Sequence, residues 1–210
     1  MLQIKTFLCR MCAENAYLIT DVATGCTAVV DPGTYNDELA EALAQIPAEK
    51  RVAILLTHAH FDHIGAAARL QEVFALPVIC HKAEEQAVGD PHGNASAFFG
   101  LSLSVPRVTQ TVQDGSRIVL GETEIQVLHT PGHTAGGVCY MTDEVIFSGD
   151  TLFCCGEGRT DLPGGDFHAL CASLKKLGDI KGDRIVYPGH GEMTTLSAER
   201  INNPWVGGSF

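Results

Sequence analysis

The chain has 210 residues, 45% of them hydrophobic and 19% charged, with a formal net charge of −11. That length suffices for one domain with a generous core, and the negative charge argues against nucleic acid as the main partner. No apolar run approaches the ~20 residues a membrane helix needs, and the alternating start from Met1 to Phe7 lacks the basic region and apolar core of a secretion signal, so a cytoplasmic protein with no membrane partner is expected.

Taken in chain order, residues 2–8, 16–20 and 26–31 read as strands. A helix is predicted at 35–46, with Thr34 as its cap, Asp37 three residues on, and Leu39, Leu43 and Ile46 on one face. Residues 52–57 read as a strand whose continuous apolar run, 52–56, is the pattern of burial on both faces. A helix at 64–75 is expected to bury Ala67, Leu70 and Phe74, and residues 77–80 form a short strand. Residues 90–107 are the least regular stretch and contain Phe98 and Phe99, which suit either a pocket wall or a satellite core. Further strands follow at 117–120, 124–129, 136–141 and 144–148, then a helix at 167–177 and a strand at 184–187. Strands alternating with helical patterns indicate an α/β fold, expected as one domain over residues 1–210.

The chemistry concentrates just after the buried strand, in His58-Ala59-His60-Phe61-Asp62-His63. Imidazole nitrogen and carboxylate oxygen are donors that borderline cations such as zinc accept, and packing four such groups together without a cation is costly. On a helix, residues two apart point to opposite sides, so His58 and His60 share a side only if the chain is extended there. Three more donors stand alone after strand-like runs and beside Gly or Pro: His133 in Pro131-Gly132-His133, Asp150 in Ser148-Gly149-Asp150, and His190 in Pro188-Gly189-His190.

These four motifs, in this order, resemble the metallo-β-lactamase superfamily, and more narrowly the short hydrolases related to glyoxalase II (hydroxyacylglutathione hydrolase). The resemblance runs from about Asn15 to Trp205. It implies a four-layer αβ/βα sandwich of two similar halves. It also implies two divalent metal ions, most simply Zn2+, with Fe or Mn as alternatives. His58, His60 and His133 would hold the first, Asp62, His63 and His190 the second, and Asp150 both. The activity implied is hydrolysis of a small thioester or ester such as an acylated thiol, with metal-activated hydroxide as nucleophile and Asp62 and Asp150 as the catalytic carboxylates. The C-terminal region with which glyoxalase II grips glutathione has no counterpart before Phe210, which leaves the thiol part of the substrate open. A cysteine is usual among the second-metal ligands of the best-known β-lactamases, so Asp150 points away from β-lactams. The alternatives are a mononuclear iron persulfide dioxygenase using His58, His133 and Asp150, and a metal-binding protein without turnover. Residues 156–161 resemble a segment shared by glyoxalase II-like and persulfide dioxygenase-like proteins; Arg159 there would meet a substrate carboxylate or pair with Asp161. Phe98 and Phe99 are the other candidate substrate contacts.

Of the remaining polar candidates, Asp31 ends a strand before a Pro-Gly turn and is expected to orient a ligand histidine. His81, His92, His129 and His168 read as structural or solvated. The eight cysteines read as reduced thiols, with Cys26, Cys80, Cys139 and Cys171 in the core. Cys9 and Cys12 have the spacing of half a zinc knuckle but lack a second pair, and Cys154-Cys155 is expected as core or pocket lining.

Overall fold

The computed structural model describes residues 1–10 and 12–208. Its first half forms a six-stranded sheet. β1 (Leu2–Cys9) pairs antiparallel with β2 (Glu14–Asp21), and β2 pairs antiparallel with β3 (Thr27–Val30). Beyond β3, β4 (Arg51–Leu55), β5 (Val78–His81) and β6 (Gln110–Val112) follow as parallel neighbours. Parallel neighbours require crossovers, supplied by α1 (Asp37–Ala44) between β3 and β4 and by α2 (Phe61–Ile64) and α3 (Ala67–Phe74) between β4 and β5.

The second half repeats this plan. β7 (Arg117–Leu120), β8 (Thr123–His129), β9 (Val138–Met141) and β10 (Val145–Gly149) form an antiparallel meander. A hairpin of β11 (Leu152–Phe153) and β12 (Gly156–Glu157) follows, then α4 (Phe167–Gly178) crosses back to β13 (Ile185–Pro188), which lies parallel to β10. β14 (Thr194–Thr195), α5 (Leu196–Asn202) and α6 (Pro204–Gly207) close the described chain. None of the described helices is long and apolar enough to cross a membrane.

The layers follow from the period of two along each strand. Ala53 and Leu55 join the core between the sheets, with Tyr17, Ile19, Tyr140 and Phe147. Their neighbours Ile54 and Leu56 face the other way, into a second core with Leu39 and Leu43 of α1 and Leu70 of α3. On the far side, Cys139, Ile146 and Val186 pack against Leu170, Leu174 and Leu177 of α4. A strand sandwiched this way has no polar face, which is why residues 52–56 read as continuous apolar sequence. The result is the expected four-layer αβ/βα sandwich.

Several details differ from the sequence reading. The cap of α1 is Asn36, whose side chain accepts from the amides of Glu38 and Leu39, rather than Thr34. The helix predicted at 64–75 is two helices that break at Gly65-Ala66, and the first already starts at Phe61. The break lets Ala66 donate to the Pro32 carbonyl at 2.8 Å, bringing α2 against the Pro32-Gly33 turn. There only glycine fits, since a Cβ on Gly33 would lie 1.7 Å from the Asp62 carbonyl oxygen. Cys80 and Cys139 are buried as expected, but Cys26 and Cys171 are half-buried; Cys9 is buried instead, and Cys12, Cys154 and Cys155 are exposed.

One carboxylate ties the two sheets together. Asp21, at the end of β2, accepts from the Thr24 hydroxyl at 2.6 Å, the Glu122 amide at 3.0 Å and the Thr123 hydroxyl at 3.0 Å, the last two in the turn from β7 to β8. The Thr24 hydroxyl first, then the Glu122 amide, hold its carboxyl down to about 2. A carboxyl held low stabilises the fold above its ordinary range, and that stability is lost as pH falls through the folded value. Asp21→Asn should therefore be less stable than wild type at neutral pH. The gap should narrow once pH drops below the ordinary carboxyl value of 3.8 and close near pH 2. Urea melts across this range check it; a gap independent of pH would refute it.

Candidate metal centre

The seven donors singled out in the sequence converge at the C-terminal ends of strands from both sheets. The loop after β4 carries His58 and His60, and α2, which it enters, carries Asp62 and His63; the loops after β8, β10 and β13 carry His133, Asp150 and His190. Parallel β4, β5 and β10, β13 point their ends the same way, so lone donors far apart in sequence become neighbours. The donor atoms of His58, His60 and His133 lie within 4.8 Å of one another, and so do those of Asp62, His63 and His190. Asp150 faces both groups. Its Oδ2 is 3.5 Å from His133 Nε2 and 3.6 Å from His190 Nε2, and its Oδ1 is 3.3 Å from His63 Nε2. His60 Nδ1 is 2.7 Å from His133 Nε2, and His190 Nε2 is 3.4 Å from Asp62 Oδ2.

Three of the imidazoles, those of His58, His63 and His133, are turned by a hydrogen bond on the outer nitrogen. Asp31 accepts from His63 Nδ1 at 3.1 Å, as expected for that residue, and also from the Thr57 amide at 2.7 Å and hydroxyl at 2.6 Å. Because the Thr57 hydroxyl donates to Asp31, its lone pair is left for His58 Nδ1–H at 3.0 Å. Asp31 thus orients two histidines, one directly and one through Thr57, and turns their Nε2 atoms inward. His133 Nδ1 donates to the carbonyl of Arg159 at 2.7 Å rather than to the glycine turn beside it.

Burial, then the neighbouring imidazoles, pushes His58 well below its ordinary value and His60 to about 3, so both are neutral donors. Burial opposes the charge on His63, but Asp150 and Asp31 outweigh it and raise that histidine well above the usual range. Burial likewise opposes ionisation of Asp150 and Asp62, yet His63, His133 and His190 around the first, and His190 and His63 beside the second, hold both low. The cluster thus holds anionic carboxylates, the lone pairs of neutral His58 and His60, and a His63 that would release its proton to a bound cation. His58, His60 and His63 Nε2 and Asp150 Oδ1 are buried without a hydrogen-bond partner. Each such orphan costs about 1–3 kcal/mol. Imidazoles and carboxylates are donors for zinc, iron or manganese, so the residues fit divalent cations.

Three positioning contacts had no signal in the sequence. Glu84, buried at the end of β5, accepts from the Ala59 amide at 2.8 Å and the Gly136 amide at 2.6 Å, joining the loop of His58 and His60 to that of His133. Asn15 on β2 donates its side-chain amide to the carbonyls of Pro188 at 3.1 Å and Gly191 at 2.9 Å, bracketing His190. Glu14 is fully buried 3.9 Å from His63 Nδ1, and burial raises its pKa well above the usual range.

Above the donors lies an open cavity of about 460 Å³, lined by Cys12, Phe61, Phe99, Phe153, Arg159 and Leu162. Phe99 stacks against Phe61 with ring centroids 4.7 Å apart and forms a wall, while Phe98 points to solvent, 62% exposed, and does not line the cavity. Arg159 lines the cavity and its guanidinium pairs with Asp161 at 2.6 Å. Cys154 and Cys155 do not line it. His81 and His129 stack on each other, ring centroids 4.2 Å apart, away from the cluster.

The Glu84 clamp yields a prediction. A glutamine there keeps one carbonyl oxygen but turns an NH2 toward the second amide. Glu84→Gln should fold yet hold metal about 10–100-fold more weakly, the range for losing a residue that orients ligands. Competition with a chromophoric chelator, beside circular dichroism, measures this; unchanged affinity would mean the clamp does not position the donors.

Comparison with known proteins agrees with this geometry. The profile of the metallo-beta-lactamase superfamily matches residues 9–190. Hydroxyacylglutathione hydrolase GloC of Haemophilus influenzae is 32% identical over 202 residues, covering 92% of each chain. Among solved structures, BLEG-1 B3 metallo-beta-lactamase superposes with a TM-score of 0.87 at 34% identity, over 97% of this chain and 99% of its own. TTHA1623 in a di-iron-bound form gives 0.82 at 38%, over 96% and 99%. ETHE1 from Myxococcus xanthus gives 0.78 at 28%, over 98% and 85%. With its fold, its cluster of histidines and carboxylates and most of its length matched, the chain belongs to the metallo-β-lactamase superfamily.

Proposed function

We propose that this protein is a dinuclear metal hydrolase acting on a small thioester or ester. The observation that carries the reading is the full second donor set. His63 and His190 are turned toward Asp150 and Asp62 rather than away, so the geometry keeps what a single-metal enzyme would not need. His58, His60 and His133 would hold one ion, Asp62, His63 and His190 the other, and Asp150 both. Ions bound there would lower the pKa of water from ~15.7 toward ~7 and polarise a substrate carbonyl.

The chain's own residues supply the rest. Asp62 lines the cavity floor, is held ionised beside His190, and can orient a water molecule. Phe61, Phe99, Phe153 and Leu162 offer apolar walls for an acyl chain. Arg159, at the rim, is available to a carboxylate if it releases Asp161, and both side chains are more than half exposed. In the reaction, water adds to the carbonyl carbon, the carbon–sulfur bond breaks, and a carboxylic acid and a thiol leave. The likeness to GloC supports a thioester, and the likenesses to BLEG-1 and ETHE1 make β-lactam hydrolysis and persulfide oxidation the competing activities to assay.

The decisive test is Asp150→Ala against Asp62→Ala. Both should remain folded, since neither fills a core. Loss of a ligand should lower hydrolysis of S-lactoylglutathione by at least the ~10–100-fold typical of losing an orienting residue. Asp150→Ala should lose more activity and more metal, because Asp150 faces both donor groups. Near wild-type turnover by Asp150→Ala with one metal per chain would defeat the dinuclear reading. Oxygen consumption on a persulfide by wild type carrying one iron, without thioester turnover, would replace it with the dioxygenase.

A further inference from the structure

A second group of metal-type donors lies at the tip of the β11–β12 hairpin. Cys154 and Cys155 form its two-residue turn, both thiols exposed. Beneath them Glu199 of α5 is fully buried. The two sulfurs and a Glu199 carboxylate oxygen lie within 4.8 Å of one another. Glu199 accepts from the Cys155 amide at 3.2 Å and 3.0 Å and from the Thr194 hydroxyl at 2.7 Å. These donors are all neutral, and among the described residues no ion pair includes Glu199. That buried carboxylate abuts two sulfur donors open to solvent.

We propose that Cys154, Cys155 and Glu199 form a binding site for a soft divalent cation such as zinc or cadmium, separate from the histidine cluster. Two thiolates and one carboxylate suit such an ion, with solvent free to complete a four-coordinate shell from the exposed side. Binding forms two metal–sulfur bonds and releases two thiol protons to solvent. Desolvation and the Glu199 charge hold the Cys155 thiol above its usual range, so binding tightens as pH rises. The site does not depend on the hydrolase reading, because none of its residues lines the cavity. Cys9 and Cys12 form no equivalent, since Cys9 is buried and its sulfur contacts the carbonyls of Phe7 and Thr34.

The test is a cadmium titration of the reduced, zinc-loaded protein, read by thiolate-to-cadmium charge-transfer absorbance. Every protein titrated carries Cys12→Ser, since Cys12 lines the cavity above the histidine cluster, so that cadmium exchanging into the imidazole and carboxylate cluster produces no such absorbance. This background should show one thiolate-bound equivalent, and the Cys154→Ser, Cys155→Ser double variant made in it none. Glu199→Gln should bind at least ~10-fold more weakly, as befits a lost ligand. If Glu199→Gln does not fold, Cys154→Ser alone carries the test, with the same loss expected. Equal absorbance in the double variant, or no absorbance in the background, overturns the site. A folded Glu199→Gln with the affinity of the background overturns it as a three-donor site.

Discussion

Crowding of like donors in a water-poor space is the constraint on which the rest depends. Neutral His58 and His60, positively biased His63 and His190, and ionised Asp62 and Asp150 occupy one cluster. Left to themselves, such groups would turn outward to water. They are held because the loops that carry them are tied across the gap between the sheets. The Val138 amide donates to the Thr57 carbonyl at 2.9 Å and the Tyr140 hydroxyl to the Leu56 carbonyl at 2.9 Å. The Asn15 amide donates to the Gly189 carbonyl at 2.7 Å. Gly189 itself permits the close approach, since a Cβ there would lie 2.2 Å from Asp150 Oδ1 and 2.6 Å from His63 Cε1.

This explains why the centre sits where the sheets meet. Each sheet alone provides only part of the donor set: the first supplies His58, His60, Asp62 and His63, the second His133, Asp150 and His190. The core between the sheets, built on Tyr17, Leu55, Tyr140 and Phe147, fixes their separation by close packing. A change in that core therefore acts on the metal centre through geometry, without touching a ligand. Asp31 shows the same economy on a smaller scale, since one carboxylate at a left-handed backbone position, φ 47°, orients His63 directly and His58 through Thr57.

What was legible in the sequence had a local signature. Donors spaced by two after an apolar run announce an extended ligand loop, and each lone donor follows a strand and a Gly or Pro turn. The alternation of long strands and helices was readable for the same reason, since period carries over several residues. β11, β12 and β14 are two residues long and β6 three, too short for any period, and they exist because a partner strand is present. Glu84 and Asn15 were silent because they act across 52 and 176 positions. The Arg159 carbonyl was silent because a backbone atom orients His133, and backbone has no sequence identity. Cys154-Cys155 reads as core or lining from its place shortly after Asp150, while the hairpin turn places it in solvent.

The cavity walls have a different origin from the floor. Cys12, Phe99 and Leu162 come from connecting segments that carry none of the donors, and Phe153 comes from the small hairpin. Loops of this kind tolerate change far better than sheet ends held by cross-sheet bonds. Most of the walls can therefore change without moving the donors; Phe61, between His60 and Asp62, is the exception. The fold superposes on proteins described as a β-lactamase, a di-iron protein and ETHE1, so the fold by itself does not set the substrate. On the hydrolase reading proposed above, a substrate would meet the aromatic wall of Phe61 and Phe99 and the Arg159 side chain before it reached the seven donors below them.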